Sequence, residues 1–181
     1  MKIILVIILY IGIVSACTKK PIYPEAMSQA IRCVETSPDS ALLYLNSLSP
    51  ATFQAEPKET RMYYDLLKIK ANDKLYHEQT SDSTILEIVR FYDEYGDLHK
   101  QMEAYYYLGS VYRDLGDAPR AVKAFLHATE LGENTMEYGL MGKAYGQICI
   151  LLDLQSIYDE AERAGKKELE YALLRNDSVA V

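Results

Sequence analysis

The side chains able to do chemistry in this 181-residue chain are three cysteines, three histidines and 26 aspartates and glutamates. Cys17 has the most specific surroundings. It closes the run Val14-Ser15-Ala16-Cys17, directly after an almost purely apolar stretch, IILVIILYIGIV at 3–14. Small residues before a thiol suit the narrow site of a peptidase, and the thiol is a soft nucleophile that can take a thioether-linked lipid. His77, His99 and His127 show no H-E-x-x-H spacing, and the chain has no C-x-x-C, so no metal site is expected. Gly139-Leu140-Met141-Gly142-Lys143 lacks the spacing of a phosphate-binding loop, and no G-x-S-x-G elbow occurs. Cys33 and Cys149 are far apart in the chain and are expected to be small buried hydrophobes, not a disulfide. The expectation is therefore no catalytic residue, no cofactor and no metal.

The elements that place these residues begin with the apolar run. At about 1.5 Å per helical residue it spans about 18 Å, against about 30 Å for a bilayer core, so it suits a signal-peptide core better than a permanent span. With the tetrad that follows, it resembles the lipobox of bacterial lipoproteins. That resemblance implies a signal peptide over 1–16, cleavage after Ala16 and acylation of Cys17, with 17–23 as a lipid-anchored tether. Two or three acyl chains hold a protein stably on a membrane. Thr18 stands where an Asp tends to mark retention at the inner membrane. The expected address is thus the outer membrane with the domain in the periplasm, surface exposure staying open.

Beyond the tether the chain reads as helix after helix. The composition, 49% hydrophobic with nine Gly and six Pro, fits one globular fold. A net charge of −7 argues against nucleic acid as a partner. Residues 24–57 read as an N-terminal hairpin and linker, with apolar stripes Met27, Ala30, Ile31, Val34 and Ala41, Leu42, Leu45. Ser37 and Pro38 start the second of these helices, and an irregular linker is expected up to Pro57. Residues 58–98 read as a degenerate hairpin. Its second helix turns Ile85, Ile88, Val89 and Tyr92 inward and is closed by Gly96-Asp97. No segment alternates with period two long enough for a strand.

Residues 99–181 contain an internal similarity. Tyr105, Gly109, Tyr112, Phe125 and Ala128 recur, at a constant offset, as Tyr138, Gly142, Tyr145, Tyr158 and Ala161. An offset of this size, close to the ~34 residues of a helix–turn–helix unit, predicts helical repeats. The final unit is incomplete, its one helix, 168–175, containing Tyr171. Residues 102–135 resemble a tetratricopeptide repeat. Tyr105, Leu108, Gly109, Tyr112, Ala121, Phe125 and Ala128 meet its pattern, with Tyr105 in place of the usual Trp, Gly116 as the turn and Asp117 as a helix cap. The second copy is weaker, with Met141, Leu154 and Tyr158 at the Leu, Ala and Phe positions. Pro38 to Leu42, Lys74 to Ser83 and Ala104 to Asp117 are also similar to the periplasmic tetratricopeptide-like lipoproteins of Bacteroidetes.

The resemblance implies an all-α, right-handed solenoid of helical hairpins, whose first helices line a concave face. Carried over residue by residue, the exposed positions of that face are Glu103, Tyr106, Ser110, Arg113, Asp114, Lys143 and Gln147, with Gly139 and Gly146 leaving space. The implied function is a lipid-anchored envelope scaffold that binds a protein or peptide and touches the membrane through its N-terminal lipid. The alternative is a sensory or regulatory fragment related to longer signalling proteins; an enzyme has no motif in its favour.

Overall fold

A computed structural model describes residues 22–179 and the side chains of 22–175; Cys17 and the lipobox lie outside them. The described residues form nine α-helices and no strand. They are α1 (Glu25–Cys33), α2 (Pro38–Asn46), α3 (Pro50–Ala55), α4 (Lys58–Lys74), α5 (Ser83–Tyr95), α6 (Leu98–Asp114), α7 (Ala118–Gly132), α8 (Tyr138–Leu154) and α9 (Tyr158–Val179). Among the described residues no helix is long and apolar enough to cross a membrane.

Local sequence explains most of the boundaries. Pro38 and Pro50 sit in the first turns of α2 and α3, where a missing N–H costs nothing. Asp97 caps α6 by accepting from the Lys100 N–H, and Asp117 caps α7 by accepting from the Arg120 N–H. Ile85, Ile88, Val89 and Tyr92 are buried, as their spacing requires. The expected linker before Pro57 holds a short helix instead. Ser49 both follows α2 and caps α3, accepting from the Thr52 N–H at 3.1 Å, so the stop is also a start.

The helices repeat, but with a longer period than the Tyr105-to-Tyr138 offset. α4, α6 and α8 begin at residues 58, 98 and 138, a spacing of 40. Left-handed backbone recurs at Tyr76, Gly116 and Ser156 (φ 57°, 74° and 62°), and again at Gly96 and Met136 (φ 76° and 57°). After each of the first three, the same bond closes the turn. The N–H groups of His77, Asp117 and Ile157 donate to the carbonyls of Asn72, Tyr112 and Leu152, at 2.9, 2.8 and 2.9 Å. The closures have the form of a Schellman C-cap.

The shorter offset of the sequence match has a simple physical origin. It falls one heptad short of the structural period, and a heptad is nearly two helical turns. Equivalent-looking side chains therefore share a face but sit two turns apart. The consequence is plain in the second unit. Leu154 and Tyr158, at the Ala and Phe positions of the second copy, are 76% and 63% exposed, while Met141 and Ala161 are buried. The expected helix at 168–175 is the second half of α9, which runs unbroken past the lone Gly165. Tyr171 packs back on α8, stacked on Tyr145 at 5.7 Å and Tyr138 at 6.2 Å.

The true period also explains how bulk is distributed between hairpins. A Cβ on Gly109 would come within 2.6 Å of the Phe125 ring. One structural unit further on, the same positions are Cys149 and Gly165, so the larger side chain has moved to the first helix. A Cβ on Gly165 would lie 3.5 Å from the Cys149 sulfur. Gly142, which pairs with Gly109 only in the shorter sequence register, would place its Cβ no closer than 3.6 Å to anything. Opposite outcomes follow for two alanine substitutions. Gly142→Ala should stabilise by about 0.5–1 kcal/mol through helix propensity. Gly109→Ala should destabilise by about 1–3 kcal/mol through overpacking. Urea unfolding of both variants checks the sign.

Two apolar clusters meet at α4. One joins α1 and α2 to Tyr64, Leu67 and Ala71; the other runs from Met62 and Leu66 through α5, α6, α7 and α8 to Ala164 of α9. Cys33 and Cys149 are both free and half-buried at the edges of these clusters, more exposed than expected.

Candidate binding face

α6 packs against α4, α5, α7 and α8. On one side of α4, α6 and α8, charges from distant parts of the chain gather. Lys70 on α4 pairs with Glu103 on α6 and, at 2.8 Å, with Glu35 in the turn after α1. Glu35 also meets Lys74 at 2.8 Å and Lys143 on α8 at 3.7 Å. One turn therefore reaches across to three lysines from two helices.

A second cluster centres on Arg113. Its Nη2 donates to Asp73 Oδ1 at 2.9 Å and to Asp114 Oδ1 at 2.8 Å, and its Nη1 donates to Gln147 Oε1 at 2.8 Å. Asp114 Oδ2 in turn accepts the Gln79 backbone N–H at 3.0 Å. The guanidinium fork, expected to be offered to a partner, is engaged by the chain's own residues.

The structure thus brings Glu103, Arg113, Asp114, Lys143 and Gln147 to one face. Two of the expected surface residues are buried beneath it and offer almost no surface. Tyr106 is 6% exposed and Ser110 1%. Tyr106 packs edge-on against Tyr107 and Phe125, at 5.0 and 5.4 Å. The cause is the position of α6, which has neighbours on four sides and keeps little free surface over 106–112. The space expected at Gly139 and Gly146 is also taken. Their Cβ positions would lie 3.3 Å from the Arg175 side chain and 2.8 Å from the Glu168 carboxylate. Tyr105, at the position of the usual Trp, is half-buried on the opposite side, edge-on to His127 at 4.2 Å.

Ser110 has no hydrogen-bond partner for its buried hydroxyl among the described residues. A buried polar group without a partner costs roughly 1–3 kcal/mol. Ser110→Ala should therefore raise stability by about 1 kcal/mol, seen as a higher urea midpoint with unchanged slope.

Two open cavities flank the Glu35 cluster. One, of roughly 510 Å³, is lined by Lys70, Lys100, Glu103 and Arg175, among others. The second, of roughly 420 Å³, is lined by Asp73, Tyr106, Arg113 and Gln147. Glu35 and Lys143 line both, so this pair stands where one cavity passes into the next.

The electrostatics of the cluster follow from its geometry. Burial raises the Glu35 pKa, but hydrogen bonds from Lys70 and Lys74 and the charges of Lys70 and Lys143 outweigh it and pull it down to about 2. Lys143 is pushed down, first by burial and then by Lys74, Lys70 and Arg175, against the opposing pull of Glu35. A carboxyl held below its unfolded value stabilises the fold above that unfolded value and loses the contribution as pH falls through the folded one. The stability difference between wild type and Glu35→Gln should thus be constant above about pH 5 and vanish as the pH approaches about 2. Thermal melts across that range measure it.

Glu35, Lys70, Lys74 and Asp73 are not among the residues expected from sequence, because the repeat pattern points only to positions after 99. A trace is present nonetheless. Asp73 and Arg113 stand one structural unit apart and carry opposite charges at equivalent positions of α4 and α6. No protein-family model matches this chain, and no curated protein matches it.

Proposed function

We propose that the protein is a lipid-anchored envelope scaffold that binds a protein or peptide on the face shared by α4, α6 and α8. In this reading the hairpins form a tetratricopeptide-like solenoid built on a lengthened unit, the one that separates the starts of α4, α6 and α8, and this face is its concave side. Cys17 carries the lipid, the outer membrane is the site of anchoring, and no cofactor, catalysis or nucleic acid is involved. The observation that carries the reading is the pair of open, charge-lined cavities along three successive first helices. Extended polar surfaces of this kind suit a chain laid across several repeats.

Two measurements separate the parts of the proposal. Cys17→Ser should abolish palmitate labelling of the protein; labelling that persists in this variant would refute Cys17 as the anchor. For the face, partners co-purified in mild detergent should fall at least fivefold with Lys143→Glu and stay unchanged with Lys123→Glu, a change at an exposed position of α7. Equal recovery from both variants would refute the face.

A further inference from the structure

We propose that the Lys70–Lys74–Lys143 cluster is a carboxylate-binding subsite occupied by the chain's own Glu35, and that an acidic peptide segment binds by displacing it. The inference rests on the reading of this face as the binding face and specifies the partner's chemistry.

Three observations lead to it. First, the three ammonium groups converge on a single carboxylate, at 2.8, 2.8 and 3.7 Å. Lys70 has Glu103 as a second acid, so Glu35 is the acid that Lys74 and Lys143 share. The geometry already accommodates a carboxylate, which defines the chemistry of a competitor. Second, the occupant is replaceable. The Glu35 side chain is 52% exposed and that of Lys143 48%, while Lys70 and Lys74 are held at 14% and 21%. The cationic wall is therefore fixed and its anion is open to solvent. Third, Glu35 and Lys143 line both cavities. Moving Glu35 aside joins the two into one groove, and a peptide running through would leave its own carboxylate beside Lys143.

A short acidic segment fits better than a long polyanion. The net charge of −7 repels long polyanions at distance, whereas a segment of a few acidic residues brings its carboxylates to the local lysines at contact range. Salt should weaken the interaction for the same reason.

The test is fluorescence anisotropy of fluorescein-labelled hexaglutamate with the full chain in nonionic detergent at low salt, with hexaglutamine as the uncharged control. Glu35→Gln removes the internal competitor and should tighten hexaglutamate binding about tenfold while leaving hexaglutamine unchanged. Adding Lys143→Gln to that variant should cancel the gain. Glu162→Gln, on the surface of α9, makes the same change in net charge and should give less than a twofold effect. Circular dichroism confirms that each variant is folded, and Glu35→Asp, which keeps the charge on a shorter arm, serves as a second reading with an intermediate gain.

The proposal is overturned if Glu35→Gln binds no tighter than wild type, if its gain survives Lys143→Gln, or if Glu162→Gln gains as much. The outcomes also separate the two levels of inference. Hexaglutamate binding that needs Lys143 but ignores Glu35 overturns the displacement and keeps the face. Co-purified partners lost with Lys143→Glu, with no hexaglutamate binding to any variant, overturn the acidic ligand and keep the face. Inorganic phosphate at millimolar concentration competing as well as hexaglutamate would overturn the peptide in favour of a small anion.

Discussion

Phe125→Ala should lower the unfolding free energy by about 3–5 kcal/mol, the largest effect of any single truncation in the repeat region. The ring is fully buried, lies against the bare backbone of Gly109 and meets Tyr106 edge-on. Removing it leaves a void that two rigid helices cannot close. Because Gly109 and Phe125 share one contact, the two substitutions should not add. Gly109→Ala, costly alone, should cost little or nothing once the ring is gone, since its methyl then enters the void. A urea-unfolding double-mutant cycle checks this; strict additivity within about 0.3 kcal/mol would show that the ring and the glycine do not constrain each other.

The second large effect is expected at Arg113. Its guanidinium ties α4 to α8 through Asp73 and Gln147, across α6. Arg113→Ala would leave the Asp73 and Asp114 carboxylates, 14% and 8% exposed, without their shared cation. Breaking a fully buried pair costs about 3–5 kcal/mol; solvent reaches 31% of this Arg, so roughly 2 kcal/mol is expected. Arg113→Lys should recover only part of it, because an ammonium cannot make the forked contacts to Asp73, Asp114 and Gln147 together. Thermal unfolding of the two variants tests this, and full rescue by Lys would show that charge alone matters.

Signals in the sequence are legible where they act locally. Gly116 takes left-handed backbone and Asp117 caps the helix after it, because a turn residue and a cap depend on few neighbours. The inward face of α5 follows from spacing alone. The repeat length does not, because a helical face returns nearly in register with every heptad. Tyr138 and Gly142 thus mimic Tyr105 and Gly109 from two turns away. The three residues that close the turns, Tyr76, Gly116 and Ser156, keep the true spacing, but only one is a glycine, so the sequence hides it. The site is half legible for a related reason. Glu103, Arg113, Lys143 and Gln147 follow from the helices they sit on. Glu35 belongs to a turn far from Lys143 along the chain, and only tertiary packing joins them.

The most direct test of partner binding on this face is photocrosslinking in cells that make the full chain, with a photoreactive amino acid at position 147 or at position 123. Gln147 lines the cavity beside Arg113, and Lys123 lies exposed on α7. A discrete covalent adduct from position 147, absent from position 123, is the predicted result. A discrete adduct from position 123 with none from position 147 would contradict the account.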